Sequence, residues 1–188
     1  MNITPRLNKA LHVAAWAHRN QTRKGGDIPY IVHPFAVMTI AATATENEDV
    51  LIACLFHDII EDVPEEYSRE QMLTEFGERV VKIVDGVTKN DNIAEWQARS
   101  EAYLAHLEHD ASDESVLVSC ADKLHNLRCT LDDYAVVGSK LWGRFNVGAE
   151  RQVWWYQEVQ KVIQKRLPEL SLNKDLGDLV QELQAATH

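Results

Sequence analysis

The feature that most constrains the fold is an uninterrupted apolar run, residues 50–56, that ends directly in His57-Asp58. A helix that is apolar on every face has to be covered by other elements, so this run predicts a central core helix. Buried polar groups cost free energy unless they are hydrogen-bonded, paired or bound to a metal ion. An imidazole beside a carboxylate at the end of such a helix therefore indicates a polar site with further partners elsewhere in the chain.

Helical periodicity extends over nearly the whole chain, and no segment shows a convincing period-2 strand pattern. Ser68 with Gln71 forms a capping-box pattern, and Ser112 is a candidate N-cap. Pro34 suits the first position of a helix, and Pro168 ends another. The fold class is all-α, and the last helix is predicted to be a lid or a packing element. Helices are predicted over residues 7–18, 34–44, 48–60, 68–77, 78–87, 93–109, 113 to about 131, 149–167 and 172–185, with loops at 21–27 and 88–92 and an irregular stretch at 138–148.

A chain of 188 residues predicts a single domain, residues 1–188, that buries a substantial core. The sequence lacks the ~18 consecutive apolar residues that span a bilayer, and its N-terminus lacks the apolar segment of a signal peptide. Cys54, Cys120 and Cys129 show no paired spacing, which favours a reducing compartment. We therefore expect a cytoplasmic protein with no membrane partner.

The formal net charge is −10, from 19 Lys and Arg against 29 Asp and Glu. Sequence-independent binding to nucleic acid needs a basic surface, so we expect no nucleic-acid partner. A small anionic substrate is compatible with this charge, because a local group of cations and a metal ion reverse the field inside a cleft. The sequence leaves open whether the chain forms a homo-oligomer.

Two further residues are candidate partners of His57-Asp58. His33 follows an apolar segment and precedes Pro34, and Asp122 ends the apolar segment of a later helix. Together the four side chains offer two imidazoles and two carboxylates, a donor set that suits a divalent metal ion and the activation of water. Taken singly, such a histidine is more often a core residue, and such a carboxylate a surface group or helix cap. Four of them on different elements favour a metal site.

Glu61 and Asp62 lie three and four residues after Asp58, so one more helical turn would place the three carboxylates on one face. Beside a metal ion, such a carboxylate takes a proton from water or gives one to the leaving group. The alternative is a solvated acidic turn that Pro64 ends.

Asp122, His125 and Asn126 share a helix face by the same spacing. Asp122 would face the metal ion, and Asn126 would reach the neighbouring cleft. The other histidines lack such a context and are predicted to be ordinary structural or surface residues: His12, His18, His106, His109 and His188.

Basic residues form the second set of candidates, because cations near the cleft suit phosphate oxygens. Arg23 and Lys24 precede the first proposed ligand, Lys89 lies in a polar loop, and Arg144 lies beyond the last ligand. The aromatic run at 154–156 is predicted to pack a core rather than stack on a base. For some basic residues we favour a different role from phosphate binding, namely a solvated ion pair with a nearby acidic residue. These are Lys123, Lys140, Arg151 and Lys161.

With these residues the chain resembles the HD-domain superfamily of metal-dependent phosphohydrolases, whose signature is H…HD…D, here His33, His57-Asp58 and Asp122. More narrowly, it is similar to the hydrolase domain of Rel/Spo homologues. A single matching sequence segment would be weak evidence for this similarity, whereas several segments that occur in the same order are specific evidence for it. The resemblance covers about residues 7–165 and implies an HD-domain helical bundle. The matching segments are RKGGDIPYIVHP at 23–34, HDIIED at 57–62, FG at 76–77 with VDGVT at 84–88, and DKLHNLR at 122–128.

The chain most resembles a stand-alone small alarmone hydrolase, because residues 166–188 leave no room for the synthetase domain of the long homologues. The resemblance implies removal of the 3′-pyrophosphate from guanosine tetraphosphate (ppGpp) or pentaphosphate, normally with Mn2+. Zn2+, Fe2+ or Co2+ would compete for such a site. The implied metal ligands are His33, His57, Asp58 and Asp122.

The resemblance also implies roles around the metal ion. Glu61 and Asp62 would position and activate the water or assist the leaving oxygen. Arg23 would contact the guanine face, which suits its planar guanidinium, and Asn126 would contact the ribose. Cys129 stands where the family often has a hydroxyl residue, so one substrate hydrogen bond is expected to be missing or rerouted. The remaining expected substrate contacts are Lys24, Lys89 and Arg144.

Two alternatives stay open at this point. The same chemistry suits another nucleotide, such as a deoxynucleotide or NADPH, for which the chain would be a phosphatase. A non-catalytic module that senses a nucleotide is the alternative from a different class, and the intact Glu61-Asp62 pair speaks against it.

Overall fold

The computed structural model describes residues 2–24, 26–89, 92–144 and 147–187. Within these ranges every regular element is helical, apart from an isolated antiparallel bridge between Thr22 and Pro29. The predicted all-α class is confirmed. The elements are α1 (Pro5–Ala17), α2 (Val32–Ala41), α3 (Glu48–Phe56), α4 (Ile59–Asp62), α5 (Arg69–Phe76), α6 (Glu78–Asp85), α7 (Trp96–His109), α8 (Asp113–Val137), a 3-10 helix (Gly138–Arg144), α9 (Gly148–Arg166) and α10 (Leu172–Ala186).

The apolar run at 50–56 forms the centre of the first core. Each of its residues is buried, and α1, α2, α6 and α8 pack around α3. Burying an aliphatic or aromatic side chain contributes about 1.5–3 kcal/mol, so this helix supplies a large share of the driving force for folding. Its position fixes where His57-Asp58 leaves the core.

A second core forms where α7, α9 and α10 pack with α8. The long helix α8 belongs to both cores: Val118 and Ala121 lie in the first, and Cys120 and Leu124 lie in the second. Because α10 packs on both α8 and α9, it acts as a packing element. The aromatic run at 154–156 packs with the second core, as predicted.

The local helix signals in the sequence act as expected. The Ser68 hydroxyl accepts from the Gln71 backbone N–H while the Gln71 side chain accepts from the Ser68 backbone, which completes the capping box of α5. Ser112 caps α8 by accepting from the Ser115 N–H. Gly77, with φ of 89°, ends α5 in a backbone conformation that favours glycine.

Several predicted boundaries are wrong; the helix predicted over 34–44 ends at Ala41, and the one predicted over 93–109 begins at Trp96. Three further differences have a clear physical reason. α3 ends at Phe56 rather than at residue 60, because the chain breaks at His57-Asp58 before α4 begins. α2 begins at Val32, so Pro34 is its third residue rather than its first; all first-turn N–H groups lack an intrahelical partner, and proline is tolerated there. α8 continues to Val137, where Gly138 with φ of 60° stops it; the apolar pattern that ends near residue 131 marks the end of its buried face.

No helix among the described residues is both long enough and apolar enough to cross a membrane. Parts of four sequence predictions lie outside the described residues. They are residue 25 of the predicted loop at 21–27, residues 90–91 of the predicted loop at 88–92, residues 145–146 of the predicted irregular stretch, and His188.

Gly86, which directly follows α6, lies against Ser115 of α8 and yields a stability prediction. A Cβ at this position would lie 2.3 Å from the Ser115 Oγ and 2.8 Å from the Ser115 Cβ, although the φ of −69° suits alanine. We expect Gly86→Ala to lower the free energy of unfolding by about 1–3 kcal/mol through overpacking. Gly143→Ala is the control, because a Cβ there would meet nothing within 4 Å. Equal denaturation midpoints for the two variants in urea would contradict this packing.

Candidate metal centre

His57 and Asp58 occupy the break between α3 and α4, where His57 follows the last residue of α3 and Asp58 precedes the first residue of α4. The Nδ1 atom of His57 lies 2.8 Å from the carbonyl oxygen of Cys54. Because a carbonyl only accepts, Nδ1 carries a proton, and Nε2 is the nitrogen that faces the other polar side chains. The core helix thus orients the ring so that Nε2 is the atom available to a metal ion.

His33 reaches the same point from the second position of α2 and is 1% exposed. Its Nδ1 lies 2.7 Å from the Nδ1 of His125 on α8. Burial, with the neighbouring His33 and Arg23, lowers the pKa of His125 to about 4, so the His125 ring is neutral. If a metal ion took the lone pair of His33 Nε2, His33 would donate from Nδ1 and His125 would accept.

Asp122 comes from the middle of α8 and is held on both oxygens. Oδ2 accepts from the Lys123 ammonium, and Oδ1 accepts from the Asn126 amide at 2.5 Å. Lys123 is itself buried, at 5% exposure, and lies 5.4 Å from the ring centroid of Tyr103. This corrects the expectation that Lys123 is solvated: its charge is paired with Asp122 and its surroundings are aromatic.

Four donor atoms from these residues converge. His33 Nε2 and His57 Nε2 are 3.2 Å apart. Asp58 Oδ2 lies 3.0 Å from His57 Nε2 and 3.4 Å from His33 Nε2. Asp122 Oδ1 lies 3.2 Å from His33 Nε2 and 3.7 Å from His57 Nε2. Donors about 2.1 Å from a shared cation are separated by about 3.0 Å at octahedral angles and about 3.4 Å at tetrahedral angles. The spacings among His33, His57 and Asp58 therefore fit a divalent ion, and Asp122 Oδ1 lies beside both imidazoles.

The charges of the cluster also favour a cation. The imidazoles hold the pKa of Asp58 well below its usual range although burial raises it, and Lys123 and the imidazoles do the same for Asp122. Burial lowers the pKa of His57, but the two aspartates overcome this and raise it well above its usual value. The buried carboxylate of Asp122 and the half-buried carboxylate of Asp58 thus attract positive charge to the space beside the imidazoles. A divalent ion would supply that charge and accept nitrogen and oxygen donors.

Glu61 and Asp62 lie on α4, one turn beyond Asp58, as the spacing predicted. Glu61 is half-buried, and its Oε1 accepts from the Lys89 backbone N–H at 2.5 Å. Burial raises the pKa of Glu61, and the charge of Asp58 adds to the rise. Asp62 is exposed; loss of hydration and the charge of Asp58 raise its pKa. Raised carboxyl pKa values suit proton transfer.

The predicted substrate residues are only partly brought together. Arg23 donates to Asn126 Oδ1 at 2.9 Å, so these two adjoin Asp122. Lys89 adjoins Glu61 through its backbone, and Lys24 is exposed. Arg144 is also exposed and lies 3.9 Å from Asp133, at the distal end of α8. None of the contacts made by the described residues links Arg144 to the four donor atoms.

Sequence reasoning missed three neighbours of the cluster. The Tyr30 hydroxyl donates to Asp58 Oδ2 at 2.6 Å. Tyr30 belongs to the segment at 23–34 that carries the family resemblance, but the sequence analysis gave it no role. His125 was placed on the face of Asp122 but given no role. His18 was predicted to be an ordinary residue, yet it is buried with its ring 5.0 Å from that of Tyr30. Nothing in the sequence around His18 points to this contact, which depends on how α1 and the following loop pack.

Comparison with known proteins gives the family. The sequence profile of the HD domain matches residues 10–142, which is more than half of the chain. The chain belongs to the HD domain family. Its architecture is shared with a metazoan protein of known structure, over 97% of both chains, with a TM-score of 0.80 and 25% identity. That structure is titled "A metazoan ortholog of SpoT hydrolyzes ppGpp and plays a role in starvation responses". A Listeria monocytogenes structure shows the same fold, with a TM-score of 0.71 over 80% of this chain and 97% of that one, at 24% identity.

Curated relatives of this HD domain are longer proteins. A Streptomyces coelicolor protein named GTP pyrophosphokinase is 43% identical over 124 residues, which are 65% of this chain and 14% of the relative. A Haemophilus influenzae protein named guanosine-3′,5′-bis(diphosphate) 3′-pyrophosphohydrolase is 40% identical over 121 residues, or 62% and 17%. The chain therefore spans less than a fifth of the length of these curated relatives.

The geometry of the cluster formed by His33, His57, Asp58 and Asp122 predicts how the substitution of one candidate ligand affects metal binding. Asp122→Asn keeps the size of the side chain but removes a charge and leaves an amide beside Lys123. We expect the Kd for Mn2+, measured by titration calorimetry on metal-stripped protein, to rise at least about tenfold. Asp133→Asn is the matched control, because Asp133 is an exposed residue of the same helix. Equal Mn2+ affinity in the two variants would remove Asp122 from the ligand set.

Proposed function

We propose that this HD domain hydrolyses the 3′-pyrophosphate of ppGpp and pppGpp, releasing pyrophosphate and GDP or GTP. The observation that carries the proposal is the cluster of His33, His57, Asp58 and Asp122. It occurs in a chain whose fold matches the metazoan SpoT ortholog described above over 97% of both chains. The Haemophilus relative named as a 3′-pyrophosphohydrolase supports the same substrate. A cytoplasmic location belongs to the proposal and is supported by the free thiols of Cys54, Cys120 and Cys129.

The proposed metal ligands are these four residues, and the proposed ion is Mn2+. Two imidazole nitrogens and two carboxylate oxygens suit a first-row divalent ion, although the same donors accept Zn2+, Fe2+ or Co2+. When bound, such an ion supplies Lewis-acid activation of water and neutralises negative charge on the phosphate. The hydrogen bonds from Tyr30 to Asp58 and from Asn126 to Asp122 orient the carboxylates in advance.

In the proposed reaction, the oxygen of water forms a bond to the phosphorus attached to the ribose 3′ oxygen. The bond from that phosphorus to the 3′ oxygen breaks, pyrophosphate leaves, and the 3′ oxygen gains a proton. Glu61 and Asp62 have the positions and raised pKa values for these proton transfers. One of these carboxyl groups accepts the proton that water loses, and the other donates a proton to the 3′ oxygen. The reaction balances whichever of the two residues takes each role.

Arg23 and Asn126 are the proposed contacts to the nucleoside, because their mutual hydrogen bond lies next to Asp122. The Arg23 guanidinium is planar and suits stacking on guanine. Lys24 and Lys89 are proposed to attract phosphate oxygens. Lys24 is exposed and follows Arg23, and Lys89 is half-buried and adjoins Glu61. Arg144 is the least supported contact, since its ion pair with Asp133 would have to open.

The deciding experiment is incubation of metal-stripped protein with ppGpp and added Mn2+, followed by product analysis. We expect stoichiometric GDP and pyrophosphate from the wild type. Glu61→Gln keeps the acceptor for the Lys89 N–H but cannot exchange protons, so its kcat should fall about 10²–10⁴-fold while its Mn2+ affinity is retained.

A folded wild-type protein that yields no GDP would contradict the proposed substrate. In that case turnover within a panel of deoxynucleotides, NADPH and adenosine polyphosphates would identify a phosphatase for another nucleotide. Tight ppGpp binding without turnover, unaffected by Glu61→Gln, would identify a nucleotide sensor.

Arg23→Ala tests the nucleoside contact separately from the chemistry. We expect KM for ppGpp to rise between a few-fold and about thirtyfold, because a stacked guanidinium contributes about 0.5–2 kcal/mol. Arg69→Ala is the control, since Arg69 forms an exposed ion pair with Asp85. Steady-state kinetics in which the two variants share one KM would remove Arg23 from the substrate site.

A further inference from the structure

Tyr30 contacts both the candidate metal ligands and the candidate nucleoside contacts. It is half-buried and lies in the segment between α1 and α2. Its hydroxyl donates to Asp58 Oδ2 at 2.6 Å. The Arg23 guanidinium lies over its ring, with Cζ 5.6 Å from the ring centroid. One side chain thus meets both parts of the site, through its polar end and through its aromatic face.

The hydroxyl bonds the oxygen of Asp58 that faces the imidazoles. That oxygen, Oδ2, lies 3.0 Å from His57 Nε2 and 3.4 Å from His33 Nε2. Asp58 is the N-cap residue of α4, but its side chain makes no capping hydrogen bond to the described backbone of that helix. An ionised carboxylate only accepts, so the Tyr30 hydroxyl is the donor, and Oδ2 keeps a lone pair for a cation. The hydroxyl therefore limits rotation of the carboxylate away from the imidazoles.

The ring restricts the Arg23 side chain together with a hydrogen bond. Arg23 is half-buried, and its guanidinium donates to Asn126 Oδ1 at 2.9 Å, which holds one edge of the guanidinium plane. A cation within about 6 Å of the centroid of a tyrosine ring is attracted to the face of that ring. A long side chain that is held at its edge and at its face loses less rotamer freedom when a ligand binds to it.

Tyr30 is itself held on several sides. Its N–H donates to the Gln21 carbonyl at 2.9 Å, and an antiparallel bridge between residues 22 and 29 ties this end of the loop to the segment that carries Arg23. Its ring centroid lies 5.0 Å from that of the buried His18 and 5.8 Å from that of His33. The position of the tyrosine ring is therefore set by the residues that follow α1 and begin α2.

We infer that Tyr30 is a positioning residue for both parts of the site: its hydroxyl holds Asp58 Oδ2 towards the metal ion, and its ring holds the Arg23 guanidinium towards the nucleoside. The hydroxyl and the ring act on different groups, so two substitutions separate the two roles. Tyr30→Phe removes the hydroxyl and keeps the ring, whereas Tyr30→Leu removes both.

The role of the hydroxyl is tested by metal binding, which needs no substrate. We expect Tyr30→Phe to raise the Kd for Mn2+ about 10–100-fold in calorimetry on metal-stripped protein, the range for losing an outer contact of a metal ligand. Tyr134→Phe is the matched control, because Tyr134 is a half-buried residue near the distal end of α8, with its ring 5.4 Å from that of Trp142. Equal Mn2+ affinity in the two variants would overturn the inference.

The role of the ring is tested by the surroundings of the Arg23 guanidinium, without substrate or metal ion. In 1H–15N spectra of arginine-labelled protein, Arg23→Ala assigns the Arg23 Nε–H signal by removing it. That signal should move clearly further in Tyr30→Leu than in Tyr30→Phe. Trp16→Leu is the control, because Arg19 lies 3.8 Å from the centroid of the exposed Trp16 ring, so this variant should move the Arg19 signal and leave that of Arg23. An Arg23 signal that is unchanged in Tyr30→Leu would overturn the inference.

The kinetic test rests on the proposed function. With Mn2+ saturating for each variant, Tyr30→Phe should keep the wild-type KM for ppGpp, whereas Tyr30→Leu should raise it about two- to fivefold, the range for one exposed cation–π contact. Because the ring acts through Arg23, combining Tyr30→Leu with Arg23→Ala should raise KM by less than the product of the two single effects.

This split between Mn2+ affinity and KM separates positioning from a purely structural role. A structural role would change both quantities alike in Tyr30→Phe and Tyr30→Leu, and that result, or single effects on KM that multiply, would overturn the inference. Absence of turnover in the wild type would instead contradict the proposed function. The Mn2+ affinity and the Arg23 signal would then still decide the role of Tyr30.

Discussion

The attraction between two aspartates and two imidazole nitrogens is the interaction on which the rest of this structure depends. Asp58 and Asp122 face the Nε2 atoms of His33 and His57 at 3.0–3.7 Å. Two carboxylate charges held this close together are costly in a helical core, and a divalent ion between the donors would offset that cost. The helices that carry these residues meet because α2 and α8 both pack on α3.

Each of the four donors is oriented by a contact that the metal-binding motif itself does not contain. The Cys54 carbonyl fixes His57, His125 fixes His33, Tyr30 fixes Asp58, and Lys123 with Asn126 fixes Asp122. These supports lie on helices or beside them, so the donor atoms are held by the rigid part of the fold. Such outer contacts govern metal affinity nearly as strongly as the ligands do.

The charge distribution reconciles an acidic chain with an anionic substrate. The net charge is −10, but Arg23 and Lys89 flank the cluster at two sides, and Lys123 lies within it. Together with a divalent ion, these cations would give the cleft a local positive field that the overall charge does not reveal. The proposed pyrophosphate group would therefore be attracted to the site while most of the surface repels it.

The sequence by itself determined the helical class, the capping box at Ser68 and the residues that form the cluster, because apolar periodicity and rare polar interruptions are local signals. Only the tertiary structure decided the break of α3 at His57-Asp58, the burial of Lys123, and the approach of His18 to Tyr30. Those features arise where separate helices pack against each other, and their partners are distant in the chain. Periodicity gives the face that a residue occupies on its own helix, but the side chain that meets this face is fixed only when the helices assemble.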